Sequence, residues 1–340
     1  MTRLLLPAAL LIWLLCGALI GALRGLGSAV PYLELVYGEV LGARFILRFL
    51  DVEHGLSVIQ VLEGEPSALS WSPDGARLAV TLLDRGDLWT NVFALDGTSH
   101  ALRQVANPMW VSPTQLLVRD GRRNGALSVF DLSQPVPTAQ PVQLPFDRPF
   151  YAPLLAADGR WLAFLSITGP AVDLYIAQLN SGDPARLLAQ NNSGMDYAWS
   201  PDSQTLVYTL SPAGSYELYS VDMPSGAVHA LTEGYDNNVL PNWSPDGRLL
   251  AYISGNTRKL LRLLDSAGGV QSINLSALVG SMVIGTSELG WSPDGRMLAL
   301  GLSIVQQPRT DMYLLTLNDT PTLRRVSSGG AITAPAWRPQ

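Results

Sequence analysis

The sequence predicts an all-β protein built as a ring of four-stranded units, and three observations carry that prediction. The phrase Trp243-Ser244-Pro245-Asp246-Gly247-Arg248 recurs at Trp71 to Gly75, Trp199 to Ser203 and Trp291 to Gly295, with degraded copies at Trp110 to Pro113, Leu155 to Arg160 and Trp337 to Pro339. With the Trp or its equivalent as marker, the positions are 71, 110, 155, 199, 243, 291 and 337, a period of 39 to 48 residues that suits one small sheet in a radial repeat. Nearly continuous apolar runs follow the markers at 76–83, 160–166, 205–210, 248–254 and 296–302, as expected of strands covered on both faces. Finally, residues 43–64 resemble Arg258 to Leu275, the back half of a repeat, while Trp337 near the C-terminus is an unaccompanied front half. Pairing the two ends would close the ring and leave no long edge strand. The fold class is therefore a seven-bladed β-propeller, with six blades as the alternative, preceded by one N-terminal transmembrane helix.

Taken in order, Leu4 to Leu23 is twenty residues without a charge. A helix of that length, at ~1.5 Å per residue, matches the ~30 Å hydrocarbon core of a bilayer. Residues 1–24 are thus a transmembrane anchor or a signal segment, Gly27-Ser28-Ala29 offering a small-residue cleavage site for the second case. Cys16 is the one cysteine, so no intrachain disulfide framework exists. Gly17 and Gly21 form a GxxxG through which a homodimer could pack. Arg3 and Arg24 flank the segment almost evenly, so charge leaves its orientation open. Residues 25–41 read as linker and first strand, and 42–340 as the propeller.

Within each repeat, strand one carries the Trp, and Pro-Asp-Gly then makes a tight turn, Pro fixing φ near −65° and Gly taking the left-handed position. Strand two is the apolar run. Strand three is an acidic and aromatic phrase (Asp87-Leu88-Trp89, Asp173-Leu174-Tyr175, Glu217-Leu218-Tyr219, Asp311-Met312-Tyr313), its acids expected on the wetter outer half of the blade. Strand four is short and outermost, at 185–188, 228–232 and 323–327. No amphipathic helical period is visible past Leu23.

Composition narrows the function. Net charge is −6 with 15 % charged residues, and all but Lys259 of the 22 basic residues are Arg. No basic stripe exists, which argues against nucleic acid as a partner. GxSxG, HExxH and CxxC are absent, and His54, His100 and His229 fall at unrelated positions in the repeats. No cofactor or metal site is predicted.

The Trp-Ser-Pro-Asp-Gly phrase, the prolines two residues upstream (Pro241, Pro335), the preceding Leu231-Thr232-Glu233-Gly234 and the DLY, ELY and DMY phrases together resemble the β-propeller repeats of the periplasmic protein TolB over about Gly42 to Gln340. Similar repeats occur in the noncatalytic propellers of prolyl-oligopeptidase-type enzymes. TolB-type propellers have six blades behind a separate α/β domain, whereas seven markers are present here. The resemblance implies display outside the cytoplasm of a bacterium, on the cytoplasmic membrane if the apolar segment is retained.

The Trp rings are expected to fill the wedge between neighbouring sheets, and the Asp of each turn to be a turn residue. Binding residues are expected instead on the loops joining strand four of one repeat to strand one of the next, which converge on the mouth of the central channel. These carry Asp147, Arg148 and Tyr151; Asn191, Asn192 and Asp196; Tyr235, Asp236, Asn237 and Asn238; and Glu288. Such a mouth, acidic through Asp196, Asp236 and Glu288, suits a cation, a basic peptide segment or a polyhydroxylated ligand. The function expected is a noncatalytic docking platform for a protein or peptide in an envelope or membrane assembly. The alternatives are a glycan or small-molecule binder, or a lyase or hydrolase using the channel mouth.

Overall fold

The computed structural model describes residues 34–339 apart from 42–43, 56, 63, 122–124, 170, 191–195, 212–213, 235, 257–258, 306 and 328–334. The apolar segment 4–23, its Gly17/Gly21 motif and the linker up to residue 33 lie outside the described residues. Among those described, no helix is long and apolar enough to cross a membrane.

The described strands form seven antiparallel four-stranded sheets, the blades of a propeller. Blades one to six run from Glu65 to Arg103, Val105 to Val142, Phe150 to Ala189, Tyr197 to Ala230, Val239 to Asn274 and Val283 to Arg325. Blade seven joins the two ends: Ala336–Trp337 is its first strand and pairs with Leu35–Leu41, followed by Arg44–Leu50 and Ser57–Leu62. The closure expected from the orphan half-repeats is thus formed, and the propeller begins at Leu35, inside the segment set aside as linker and first strand.

Alternation along strand two explains why its apolar runs are continuous. Leu116 and Val118 pack with Ala79 and Val92 of blade one, whereas Leu117 between them packs with Leu162 and Phe164 of blade three. Ala163 and Leu165, one residue out of step with that pair, pack with Leu206 and Tyr208 of blade four. Val36 and Leu35 likewise face blades one and six. Each residue of a central strand therefore leaves water whichever way it points, contributing roughly 1.5–3 kcal/mol per large side chain.

The Trp rings close the same wedges and add a directional bond. The indole of Trp110, Trp199, Trp291 and Trp337 donates to Ser70, Leu154, Asn242 and Gly290, in each case the carbonyl one residue before the marker of the preceding blade, at 3.0–3.1 Å. Trp71 and Trp243 keep the ring position without that bond.

The turn after Trp71, Trp199, Trp243 and Trp291 is a small hydrogen-bonded unit. Ser72, Ser200, Ser244 and Ser292 donate to the carboxylate two residues on at 2.5–2.7 Å and accept the amide five residues on at 2.8–2.9 Å. The left-handed position holds Gly75, Gly247 and Gly295, but Ser203 in blade four at φ 61°. Ser203 Oγ accepts the Asp158 amide of blade three at 2.9 Å, a bond glycine could not make.

Two expectations need correction. The third-strand acids Asp173, Glu217 and Asp311 are buried rather than on the wet outer half; Asp87 alone of the four is exposed. Strand three is an interior strand at that level, and the acids are matched there: Arg325 and Ser327 bond to Asp311 at 3.0 and 2.9 Å, and Thr232 and Asn238 to Glu217 at 2.5 and 2.8 Å. Between blades five and six, Leu275–Val279 also forms a short helix, capped by Asn274 and ended by Gly280 at φ 70°. Five residues are too few to display a period, which is why the sequence shows none.

Candidate functional site

The first strands line the hub, and most are bulged. Register shifts fall at Pro66/Ala68, Ala106/Met109, Tyr151/Leu154, Val239/Asn242 and Thr286/Glu288. In blades two, three and five the bulge holds a non-glycine residue in the left-handed region just before a proline: Asn107 (φ 53°), Ala152 (φ 48°) and Leu240 (φ 55°). Such backbone costs of order 1–3 kcal/mol per residue and persists only where its surroundings hold it. Proline two residues before the marker recurs at Pro108, Pro153 and Pro241, so the sequence did carry this signal.

Blade four supplies the hold. Its first strand is only Tyr197–Trp199. Asp196, immediately before it, accepts the Leu240 amide of blade five at 3.1 Å, while Tyr197 donates its hydroxyl to the Ala152 carbonyl of blade three. Two adjacent residues thus fasten the strained bulges on either side. Burial pushes both groups up, the Asp196 carboxyl against the Leu240 bond and the Tyr197 hydroxyl with help from the nearby Tyr151 and Asp196. Tyr151 is raised by burial as well. Tyr197 was not among the sequence candidates; it reads there as an ordinary strand aromatic.

Glu288 was expected in a loop and instead lies within the first strand of blade six, Val283–Trp291, at the second of that strand's two register shifts. Two bulges lengthen this strand, which places the residue inside it. Burial pushes its carboxyl up to about 7.

The remaining candidates differ in how firmly they are held. Asn237 accepts the Tyr216 amide at 2.7 Å and donates to Asn256, and Asn238 is buried against Glu217. Both hold the loop to neighbouring hairpins. Asp236 is exposed, lies 3.8 Å from Arg262, and its carbonyl accepts the Gly255 amide at 2.6 Å. Arg148 donates to the Tyr175 hydroxyl at 2.7 Å and lies over the Phe146 and Tyr175 rings, 5.0 and 5.2 Å from their centres, so it belongs to an aromatic cluster with Phe150 and Phe164. Asp147 beside it is 97 % exposed. Asn191, Asn192 and Tyr235 lie outside the described residues.

A cavity of about 450 Å³ opens between the first strands of blades one to three, lined by Trp71, Pro73, Asn107, Met109, Trp110 and Pro153 among others. No group of three or more His, Cys, Asp or Glu able to hold a metal occurs among the described residues.

Residues 139–276 match the TolB beta propeller domain, so the chain carries TolB-like propeller repeats. It is 37 % identical over 102 residues to a protein TolB homolog of Chlorobium chlorochromatii, covering 30 % of this chain and 23 % of that protein. It is 32 % identical over 116 residues to the Tol-Pal system protein TolB of Francisella tularensis, covering 33 % and 25 %. The chain thus aligns with about a quarter of the length of these relatives. Among solved structures, TolB from Acinetobacter baumannii superposes with a TM-score of 0.59 at 17 % identity over 95 % of this chain and 70 % of that one. Puromycin hydrolase gives 0.62 at 15 % over 88 % and 54 %. These likenesses establish the fold, which hosts both kinds of protein.

Proposed function

We propose that the chain is a noncatalytic propeller, anchored in the cytoplasmic membrane of a bacterium by its apolar N-terminal segment and displayed on the extracytoplasmic side, that docks a protein or peptide at its loop-bearing channel mouth. The observation that carries this reading is how the mouth is built. Asp196, Tyr197, Asn237 and Asn238 are bonded to backbone or to buried partners and make a rigid frame. Asp147 and Asp236 stand exposed on it, and Tyr151 and Glu288 half-buried. A preformed, acidic, partly apolar rim suits an incoming basic segment, because little conformational freedom is lost on binding. Similarity to a protein named for the Tol-Pal system supports a place in an envelope assembly.

The test is purification of the tagged full-length chain from detergent-solubilised membranes. A partner in stoichiometric amount is expected, bound less tightly at higher ionic strength. Tyr151→Ala and Glu288→Gln should release it while the circular dichroism spectrum stays unchanged. Recovery of the chain alone, or a partner indifferent to both substitutions, would refute the reading.

A further inference from the structure

The two ends of the propeller are chemically different faces, and the described chain starts on one of them. The turns from strand one to strand two, Ser-Pro-Asp-Gly in three blades, sit at one end of the first strands, while the loops from strand four to strand one sit at the other. Glu34, the first described residue, is on the turn side by several independent contacts. Its carbonyl accepts the Arg338 amide at 2.7 Å, one residue past the closing Trp337. Arg338 in turn donates to the Gly75 carbonyl, in the turn of blade one, at 2.9 Å. The Glu34 carboxylate accepts the Val52 amide at 3.1 Å, from the hairpin between strands three and four of blade seven. It also feels the charge of Asp294, in the turn of blade six.

Residues 24–33 are the whole of the chain between the apolar run and Glu34. Ten residues reach at most ~35 Å when fully extended. To bring the loop face to the bilayer instead, this stretch would have to pass outward across two further strands of blade seven, about 10 Å at ~4.8 Å each. It would then run the height of a six-residue strand, about 20 Å. That route uses about 30 Å of the ~35 Å available. Running straight from the turn face to the membrane needs almost none of it.

Resting on the anchor reading above, we infer that the face carrying the Ser-Pro-Asp-Gly turns is the bilayer-proximal face. The rim of Tyr151, Asp196, Asp236 and Glu288 is then turned away from the membrane and open to a soluble partner. The partner's class follows: a soluble protein or peptide of the compartment, reached without competition from lipid. On the turn face the aspartates that follow Ser200, Ser244 and Ser292 are held in hydrogen bonds within their own turns. Asp246 and Asp294 lie 3.6 and 3.9 Å from Arg248 and Arg296.

The experiment places one fluorophore on the full-length chain, with Cys16→Ala as background, in phosphatidylcholine vesicles carrying a headgroup-linked energy acceptor. Ala267→Cys labels the exposed hairpin on the turn side, and Ile167→Cys the exposed hairpin on the loop side. Flotation of the vesicles is measured on the same samples. The expected result is co-flotation with transfer several-fold more efficient from residue 267 than from residue 167. Co-flotation with equal transfer, or with more from residue 167, overturns the orientation and leaves the anchor standing. Protein that stays behind while the vesicles float overturns both.

Discussion

The turn face and the loop face of this propeller use the same residue types for opposite ends. On the turn face, Ser72, Ser200, Ser244 and Ser292 repeat one set of bonds to within 0.2 Å, and the aspartates are consumed inside their own turns. On the loop face the bulges of blades two, three and five are alike, but the described loop side chains differ from blade to blade. Asp196 reaches across to Leu240, Asn238 is buried on Glu217, and Asp147 stands in solvent 4.0 Å from Arg148. Where a chemical arrangement is copied around the ring it serves the ring; where the copies diverge, something outside the repeat has shaped them. That contrast is the physical ground for proposing that function lies on the loop face.

The comparison is broken most severely by removing what both faces share. Trp291→Ala takes out a buried ring between blades five and six together with its 3.0 Å bond to Asn242. A loss of about 3–5 kcal/mol is expected, read as a shift in the urea midpoint with the slope preserved. The loop face comes next. Asn238→Ala withdraws one of the two side-chain donors of the buried Glu217 carboxylate, which should cost about 1–3 kcal/mol and loosen the loop before blade five, seen as faster amide exchange there.

The turn face gives a smaller and more uniform effect. Ser72→Ala, Ser244→Ala and Ser292→Ala should each cost about 1 kcal/mol in thermal unfolding and agree with one another. A wide spread among the three would show that the turns are not equivalent. Acid should weaken this face. The Asp202 and Asp246 carboxyls are held below the ordinary value by the hydroxyl and then the backbone amide bonded to them. Their contribution is complete above the unfolded value near 4 and is lost as pH falls through the lowered folded one.

A pH-dependent prediction sharpens the loop face. Burial raises the Glu288 carboxyl to about 7 from 4.5. The folded chain therefore keeps a proton that the unfolded chain releases, and stability falls as pH rises from about 4.5 to 7. Glu288→Gln should match the parent near pH 4.5 and melt higher than it by pH 7.5. Equal melting temperatures across that range would mean that Glu288 is more hydrated than its setting in the bulged strand implies.

The ring was legible in the sequence because the residues that make it act locally. Trp243 to Gly247 fold their own turn, and the strand after it is apolar throughout because both faces are covered. The closing pair of Leu35 and Trp337 could be read for the same reason, as two halves of one repeat. The loop face was legible only in part. Asn237 and Asn238 look identical to turn formers in sequence, and their partners Tyr216 and Glu217 lie about twenty residues away. Asp311 looks like a surface acid until Arg325 and Ser327 are folded against it. Glu288 moved from loop to strand because bulges alter register, and blade six has Leu289 where blades two, three and five carry the proline that marks theirs. Tyr197 was missed since its one distinguishing contact, with Ala152, belongs to another blade.

The central claim is most directly tested by photo-crosslinking in intact membranes. A photoreactive residue is placed in the full-length chain at Tyr151 on the loop face, or at Arg248 on the turn face. The account predicts one discrete protein adduct from position 151 and none from position 248. A protein adduct from position 248 with none from position 151 would contradict it.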